Sequence, residues 1–335
     1  MSNCRNVLES LVLQEVRSQL KKLPPEVQKR YNVPDLVAYS LNRLPPMYVT
    51  TQKGWVQSRS RAIKEYKSQI VEVVKKALLS CRIDPLQQRQ PLPESELASE
   101  PRALVQLQAF FGNPHLHWDQ VPAAVERALN NVTVGGTAKS SHPGRRTLDL
   151  QTYLGKKKAQ PAPVEKDEHT SEEARIRDAV DANDFAIYIQ IGQMEYRNVL
   201  ENLVASVARL QISHLDQDSI DKVNMDEVCA YALNRLPPMY ATDGETLKQM
   251  RLKIKAELSQ QIANNVRQAI QLVLQSPKPV KIKPQFLRFN KDMEKAIQQV
   301  NQMLNRQDIT WRNILDVLKQ ELEARREALR NSSNL

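Results

Sequence analysis

Leu41-Asn42-Arg43-Leu44-Pro45-Pro46-Met47-Tyr48 recurs without change as Leu233-Asn234-Arg235-Leu236-Pro237-Pro238-Met239-Tyr240. A second block keeps the same step: Arg5-Asn6-Val7-Leu8-Glu9 returns as Arg197-Asn198-Val199-Leu200-Glu201. Both pairs are displaced by 192 residues, from 41 to 233 and from 5 to 197. Two identical blocks in one register mean a duplicated unit, and a duplication constrains the fold before any local pattern does. The alignment runs without a gap from Arg5 to Thr50, which matches Thr242. Fainter tails repeat as well. Leu116-His117-Trp118 with Val121, Val125 and Leu129 matches Ile309-Thr310-Trp311 with Ile314, Leu318 and Leu322. The unit is a core followed by a helical tail anchored on a tryptophan.

Each core reads as three helices. The first carries Val7, Leu8, Leu11, Val12, Val16 and Leu20 at helical spacing and stops at Leu23-Pro24-Pro25. The second starts at Asn32 with Asp35 three residues on, a variant of the capping box, and ends at Pro45-Pro46. The third is predicted from about Val56 to Leu79, with Ile63, Tyr66, Ile70, Val74 and Ala77 facing inward. Only eight glycines and five phenylalanines occur among 335 residues, which favours helix over sheet. The expected class is all-α: two tandem helical modules over 1–131 and 191–335, each with a tail, joined across 132–190 by a flexible linker that leads into a helix. Gly135-Gly136, Pro143-Gly144, Lys156-Lys157-Lys158 and Pro161-Ala162-Pro163 mark that linker, whose composition cannot bury enough apolar area to order itself. Its one apolar island, Thr147 to Leu154, is either a docking motif or a stretch resting on a module.

Several function classes are disfavoured. No stretch approaches the roughly 20 apolar residues of a membrane helix, and the N-terminus lacks a signal-peptide core, so a cytosolic protein without membrane insertion is expected. Cys4, Cys81 and Cys229 are odd in number and far apart, as reduced thiols are. Val134 to Ser140 lacks the glycine before lysine that a P-loop needs, and His115-x-His117 lacks a third metal ligand. No nucleophile elbow or Cys-x-x-Cys occurs. Neither an enzyme, a metal nor a cofactor is expected. A formal net charge of +10 suits an anionic partner, although the cations are spread along the chain.

The second helix carries one feature that core packing leaves open. Tyr39, Asn42 and Arg43 share a face that is not the apolar stripe, and the copy has Tyr231, Asn234 and Arg235 there. Arginine offers a planar fork for phosphate, and Tyr48 or Tyr240 offers a ring for a base. The same residues also suit a helix cap and a gap filler, so chemistry alone leaves both readings standing. The copies differ nearby. Lys21-Lys22 becomes Ser213-His214, and Thr51-Gln52-Lys53-Gly54-Trp55 becomes Asp243-Gly244-Glu245-Thr246-Leu247.

The run from Val33 to Tyr48, with Thr50 and Gly54-Trp55 after it and Lys22-Leu23-Pro24-Pro25 and Asn6-Val7-Leu8-Glu9 before it, resembles the family of ComFB, late competence development proteins. The resemblance covers about residues 3–80 and, less fully, 195–275. It implies a small helical domain, often dimeric, that in cyanobacterial members binds c-di-GMP or c-di-AMP in roles around natural competence. The zinc-binding cysteines of some Gram-positive members have no counterpart. The ligand site it implies comprises Lys21, Lys22, Tyr39, Asn42, Arg43, Tyr48, Thr50, Thr51 and Trp55, with Tyr231, Asn234, Arg235, Tyr240 and Thr242 in the second copy. Arg43 and Lys22 are expected on phosphate and Tyr48 or Trp55 on a base. The extra cations give the first copy the stronger site, while Asp216 and Asp243 oppose phosphate in the second. The expected partners are a cyclic dinucleotide and a protein. The repeats are expected to form an intrachain pseudo-dimer or a homo-oligomer. A pure protein adaptor and a DNA-binding accessory factor are the alternatives.

Overall fold

The computed structural model describes residues 4–83, 89–131, 182–275 and 286–333. Repeat 1 runs β1 (Arg5–Asn6), α1 (Leu8–Lys21), α2 (Pro25–Gln28), α3 (Val33–Leu41), β2 (Tyr48–Val49), α4 (Gln52–Glu65) and α5 (Lys67–Ser80). Its tail adds α6 (Glu94–Leu97), α7 (Glu100–Phe111), a 3-10 turn at Trp118–Gln120 and α8 (Val121–Asn130). A helix over 182–192, α9, precedes repeat 2. Repeat 2 runs β3 (Arg197–Asn198), α10 (Val199–Ile212), α11 (Gln217–Ile220), α12 (Met225–Leu233), β4 (Tyr240–Ala241), α13 (Gly244–Lys253), a π turn at Ile254–Leu258 and α14 (Ser259–Gln275). Its tail is α15 (Leu287–Met303) and α16 (Ile314–Ser333). The class is all-α. The only strands among the described residues are two antiparallel pairs of two residues each, β1 with β2 and β3 with β4.

Prolines set the boundaries of the second helix where expected, and Pro34 also decides its cap. Asn224 caps α12 by accepting from Asp226 N (2.9 Å) and Glu227 N (3.4 Å). Asn32 makes no such bond, because the residue equivalent to Asp226 is Pro34, which has no N–H to give. The third helix is not one rod, which corrects the expectation. In repeat 1 it breaks at Tyr66 (φ −112°, ψ −1°) into α4 and α5. In repeat 2 the same region holds the π turn, which fits an extra residue into a continuing helix. The break turns Ile63 outward, 46% exposed, rather than inward.

Three cores result. The repeat 1 core packs Leu8, Val12, Leu36, Leu41 and Val74, and includes Tyr196 and Tyr240 from the other half of the chain. The repeat 2 core packs Leu200, Val204, Val228, Leu233 and Val266, and takes in Cys4, Tyr48, Leu92 and Leu97. The tails, expected one to each module, share a third core with α9: Leu104, Leu107, Trp118, Tyr188, Phe289, Val300 and Ile314 meet there. Trp118 Nε1 donates to the Tyr188 hydroxyl (3.0 Å). The equivalent Trp311 is only half-buried, with Arg312 4.9 Å from its ring centre. Residues 182–190, assigned to the end of the linker, thus belong to the tail body. The rest of that segment, including Thr147–Leu154, lies outside the described residues. Cys4 and Cys229 are buried, and Cys81 is half-buried. Among the described residues no helix is long and apolar enough to cross a membrane.

Candidate functional site

The repeated block builds the junction between the two halves. Asn42 Oδ1 accepts from Tyr240 N (2.6 Å), and Asn42 Nδ2 donates to Tyr240 O (3.0 Å). Asn234 does the same to Tyr48, at 2.6 and 2.9 Å. Each side-chain amide therefore stands in for the peptide group of a neighbouring strand, pairing β2 and β4 to the opposite repeat. Asn6 Oδ1 accepts from Leu8 N (3.1 Å) and Met47 N (3.2 Å), while its Nδ2 donates across the junction to the Tyr240 hydroxyl (3.0 Å). Asn198 repeats this with Leu200, Met239 and the Tyr48 hydroxyl. The two halves are joined by reciprocal contacts, as in an isologous dimer.

Four titratable groups meet at the centre. The Tyr240 hydroxyl donates to Glu9 Oε1 (2.7 Å), the Tyr48 hydroxyl donates to Glu201 Oε1 (2.9 Å), and the hydroxyls are 3.3 Å apart. With both carboxylates ionised, each phenol spends its one proton on its own glutamate, and the two hydroxyl oxygens face each other with none to share. A proton on Glu9 removes the conflict. The bonds then run one way, from Glu9 to Tyr240 to Tyr48 to the Glu201 carboxylate, with Asn6 and Asn198 donating from the sides. Burial first, then the charge of Glu201, pushes the Glu9 carboxyl up to about 7. Burial pushes both phenols well above the usual tyrosine range.

The arginines lie outside this knot. The Arg43 guanidinium stacks 3.4 Å over the Tyr39 ring and its Nη1 donates to Tyr39 O (3.0 Å), closing the last turn of α3. Arg235 stacks on Tyr231 at 3.4 Å and donates to Tyr231 O (3.2 Å). Both arginines are exposed, and a guanidinium has further donors beyond the one each spends on its helix.

Pairing across the junction redistributes the expected site residues. Because α3 meets β4 and α12 meets β2, each arginine face borders the loop of the other repeat. The Arg43 face borders Thr242, Asp243 and Glu245, and Thr242 Oγ1 donates to Asp35 Oδ1 across the junction (2.6 Å). A cleft of about 690 Å³ opens there, with Tyr39, Asn42, Cys81, Arg89 and Asp243 in its wall. Residues 89–97 strap it to repeat 2. Arg89 pairs with Asp35, Gly244 N donates to Gln90 O (3.0 Å), and Arg251 meets Glu96 (2.8 Å). Asn234 of the Arg235 face, conversely, is bonded to Tyr48, two residues before Thr50, three before Thr51 and five before Lys53. The cationic loop expected to serve Arg43 stands on the side of Arg235.

Other expected contacts have structural duties. Tyr48 and Tyr240 are buried to 3% and 2% exposure, and Trp55 to 5%, so none has a ring face free for a base; this corrects the stacking assignment. Thr51 caps α4 by accepting from Gly54 N (2.9 Å), and Thr50 is half-buried. Asp216 and Asp243 are N-caps of α11 and α13, accepting from Ser219 N (2.9 Å) and Thr246 N (2.7 Å). Lys21 and Lys22 are exposed at the far end of α1, about 20 Å along the helix from the Val7–Met47 hydrogen bond that anchors the Arg43 loop. Neither lysine lines the cleft beside Tyr39. Asn6, Glu9, Asn198 and Glu201 were absent from the expected site, although their repetition within Arg5–Glu9 was a visible signal.

This architecture defines a class: an all-α chain whose two homologous modules pair with each other through exchanged tyrosines. The late competence development protein ComFB family model matches residues 5–85 and 197–277, and the chain belongs to that family with two ComFB domains in tandem. No curated protein matches it.

Proposed function

We propose that the chain is a non-enzymatic receptor for a cyclic dinucleotide, c-di-GMP or c-di-AMP, that passes the level of this messenger to a protein partner. The observation that carries this reading is the pair of exposed arginines, each stacked on a tyrosine beside the repeat junction. Stacking on a ring and bonding to a carbonyl fix the guanidinium plane in advance, which lowers the entropy lost on meeting a phosphate. A ligand with two phosphates and two bases has its own two-fold symmetry, as the junction nearly does. Local charge then separates the two faces. Asp243 and Glu245 line one cleft with Tyr39 and Asn42, the neighbours of Arg43 on α3, whereas Thr50, Thr51 and Lys53 follow the strand bonded to Asn234, the neighbour of Arg235. The stronger anion site is therefore assigned to Arg235, the reverse of what the linear order of residues implies.

Calorimetric titration of the purified chain with c-di-GMP and with c-di-AMP tests this. Arg235→Ala should cost about 1.5–3 kcal/mol of binding, as charge-assisted hydrogen bonds do, and Arg43→Ala clearly less. Equal losses, or a larger loss at Arg43, would overturn the assignment to Arg235. No heat with either nucleotide would leave a protein adaptor.

A further inference from the structure

The outer face of α4 and α5 carries positive charge with little set against it. Both acids of these helices are occupied: Glu65 by Arg61 (2.9 Å) and Glu72 by Lys76 (2.7 Å). Among the described residues Lys64, Lys67 and Lys75 make no ion pair, and all three line one groove of about 570 Å³ whose apolar members are Ile63 and Val71. Lys67, Val71 and Lys75 share one face of α5 at steps of four, and Ile63 and Lys64 line the same groove from the end of α4. Val56, seven residues before Ile63, extends the apolar stripe and is 62% exposed. On the adjoining α1, Glu15 accepts from Gln19 Nε2 (2.7 Å), which also donates to Val71 O (3.2 Å).

Repeat 2 serves as an internal control. It builds the same module, yet its residues at positions 63, 64, 67, 71 and 75 are Lys255, Ala256, Ser259, Ala263 and Arg267. The scaffold stands there with lysine in place of Ile63 and with one of the three cations kept, as Arg267. These side chains are thus not a requirement of the fold, and leaving Ile63 and Val56 in water is unfavourable for an isolated chain.

We propose that this groove docks an acidic amphipathic helix of a protein partner. Apolar side chains of that helix lie on Ile63 and Val71, and its carboxylates meet Lys64, Lys67 and Lys75, the helix-in-groove mode with electrostatic register. Single-stranded nucleic acid suits the groove less, since no aromatic side chain lines it to stack a base, and the apolar Ile63 and Val71 offer nothing to a duplex backbone. The surface is separate from the arginine faces and does not depend on nucleotide binding.

The test is fluorescence anisotropy of the full chain with a labelled peptide of Glu and Leu, leucines at helical spacing. A scrambled peptide of the same composition and a duplex DNA serve as competitors. The decisive variant is Lys64→Ala with Lys67→Ser, the residues repeat 2 already carries, which spares the fold. The amphipathic peptide should bind, weaken with added salt, protect residues 60–76 from hydrogen exchange, and lose about fivefold or more in affinity on the double variant. Absence of binding, equal binding of the scrambled peptide, or an unaffected double variant would overturn the proposal. So would DNA that binds more tightly than the peptide and is weakened by the same variant.

Discussion

At the residue scale, the repeated asparagines, tyrosines and glutamates form a hydrogen-bonded set with room for one proton. The sign of its pH dependence follows from Glu9. A carboxyl pushed up to about 7 holds its proton in the folded chain over a range where the unfolded chain has released it. Its contribution therefore favours the folded state most below the ordinary carboxylate range. It is lost as pH rises from about 4.5 to 7, by about 3 kcal/mol in all. Glu9→Gln supplies an amide donor in place of the carboxyl proton. Chemical denaturation between pH 5 and 8 should show this variant with a flatter profile and, at pH 8, stability equal to or above the original. A variant with an unchanged slope would remove Glu9 as the proton holder. Which residues matter was legible in the repeated Arg5–Glu9 and Leu41–Tyr48 blocks. Their partners were not, because a block present twice pairs equally well, on paper, with its own copy or with the other.

At the scale of elements, helix starts and stops followed prolines closely, since Pro24-Pro25 and Pro45-Pro46 cannot continue a helix. The break at Tyr66 has no such marker: neither glycine nor proline lies near it, and the apolar period simply shifts between Ala62 and Ile70. The tail body escaped the sequence for another reason. Helix 182–192 lies just beyond a long polar segment, so its apolar residues were averaged into that segment, although Tyr188 is 1% exposed and central to the tail core. Gly192 shows how closely this helix sits. A Cβ there would lie 2.5 Å from Pro101 O and 2.6 Å from its carbonyl carbon, both backbone atoms of α7. Gly192→Ala should destabilise the chain by about 1–3 kcal/mol, as overpacking does, outweighing the smaller gain from a stiffer unfolded chain. Thermal unfolding followed by circular dichroism measures it. An unchanged or raised midpoint would mean that α9 does not pack on α7 as described.

At the scale of the molecule, duplication has produced a dimer inside one chain, and the copies have since diverged in charge. Pairing places the acidic loop of repeat 2 beside Tyr39 and Asn42 and joins Asn234 to the strand that leads into the cationic loop of repeat 1. Reading charge along the sequence misses this exchange of loops between the repeats. The central claim is that residues far apart in sequence are bonded across this junction. A double-mutant cycle between Asn6→Ala and Tyr240→Phe tests it, since these side chains lie 234 positions apart yet 3.0 Å from one another. Equilibrium denaturation of the single and double variants gives the coupling, with Asn6→Ala and Tyr188→Phe as a pair expected to be additive. Junction pairing predicts a coupling of about 1 kcal/mol or more between Asn6 and Tyr240, whereas additivity within about 0.3–0.5 kcal/mol, the behaviour of independent sites, would contradict it.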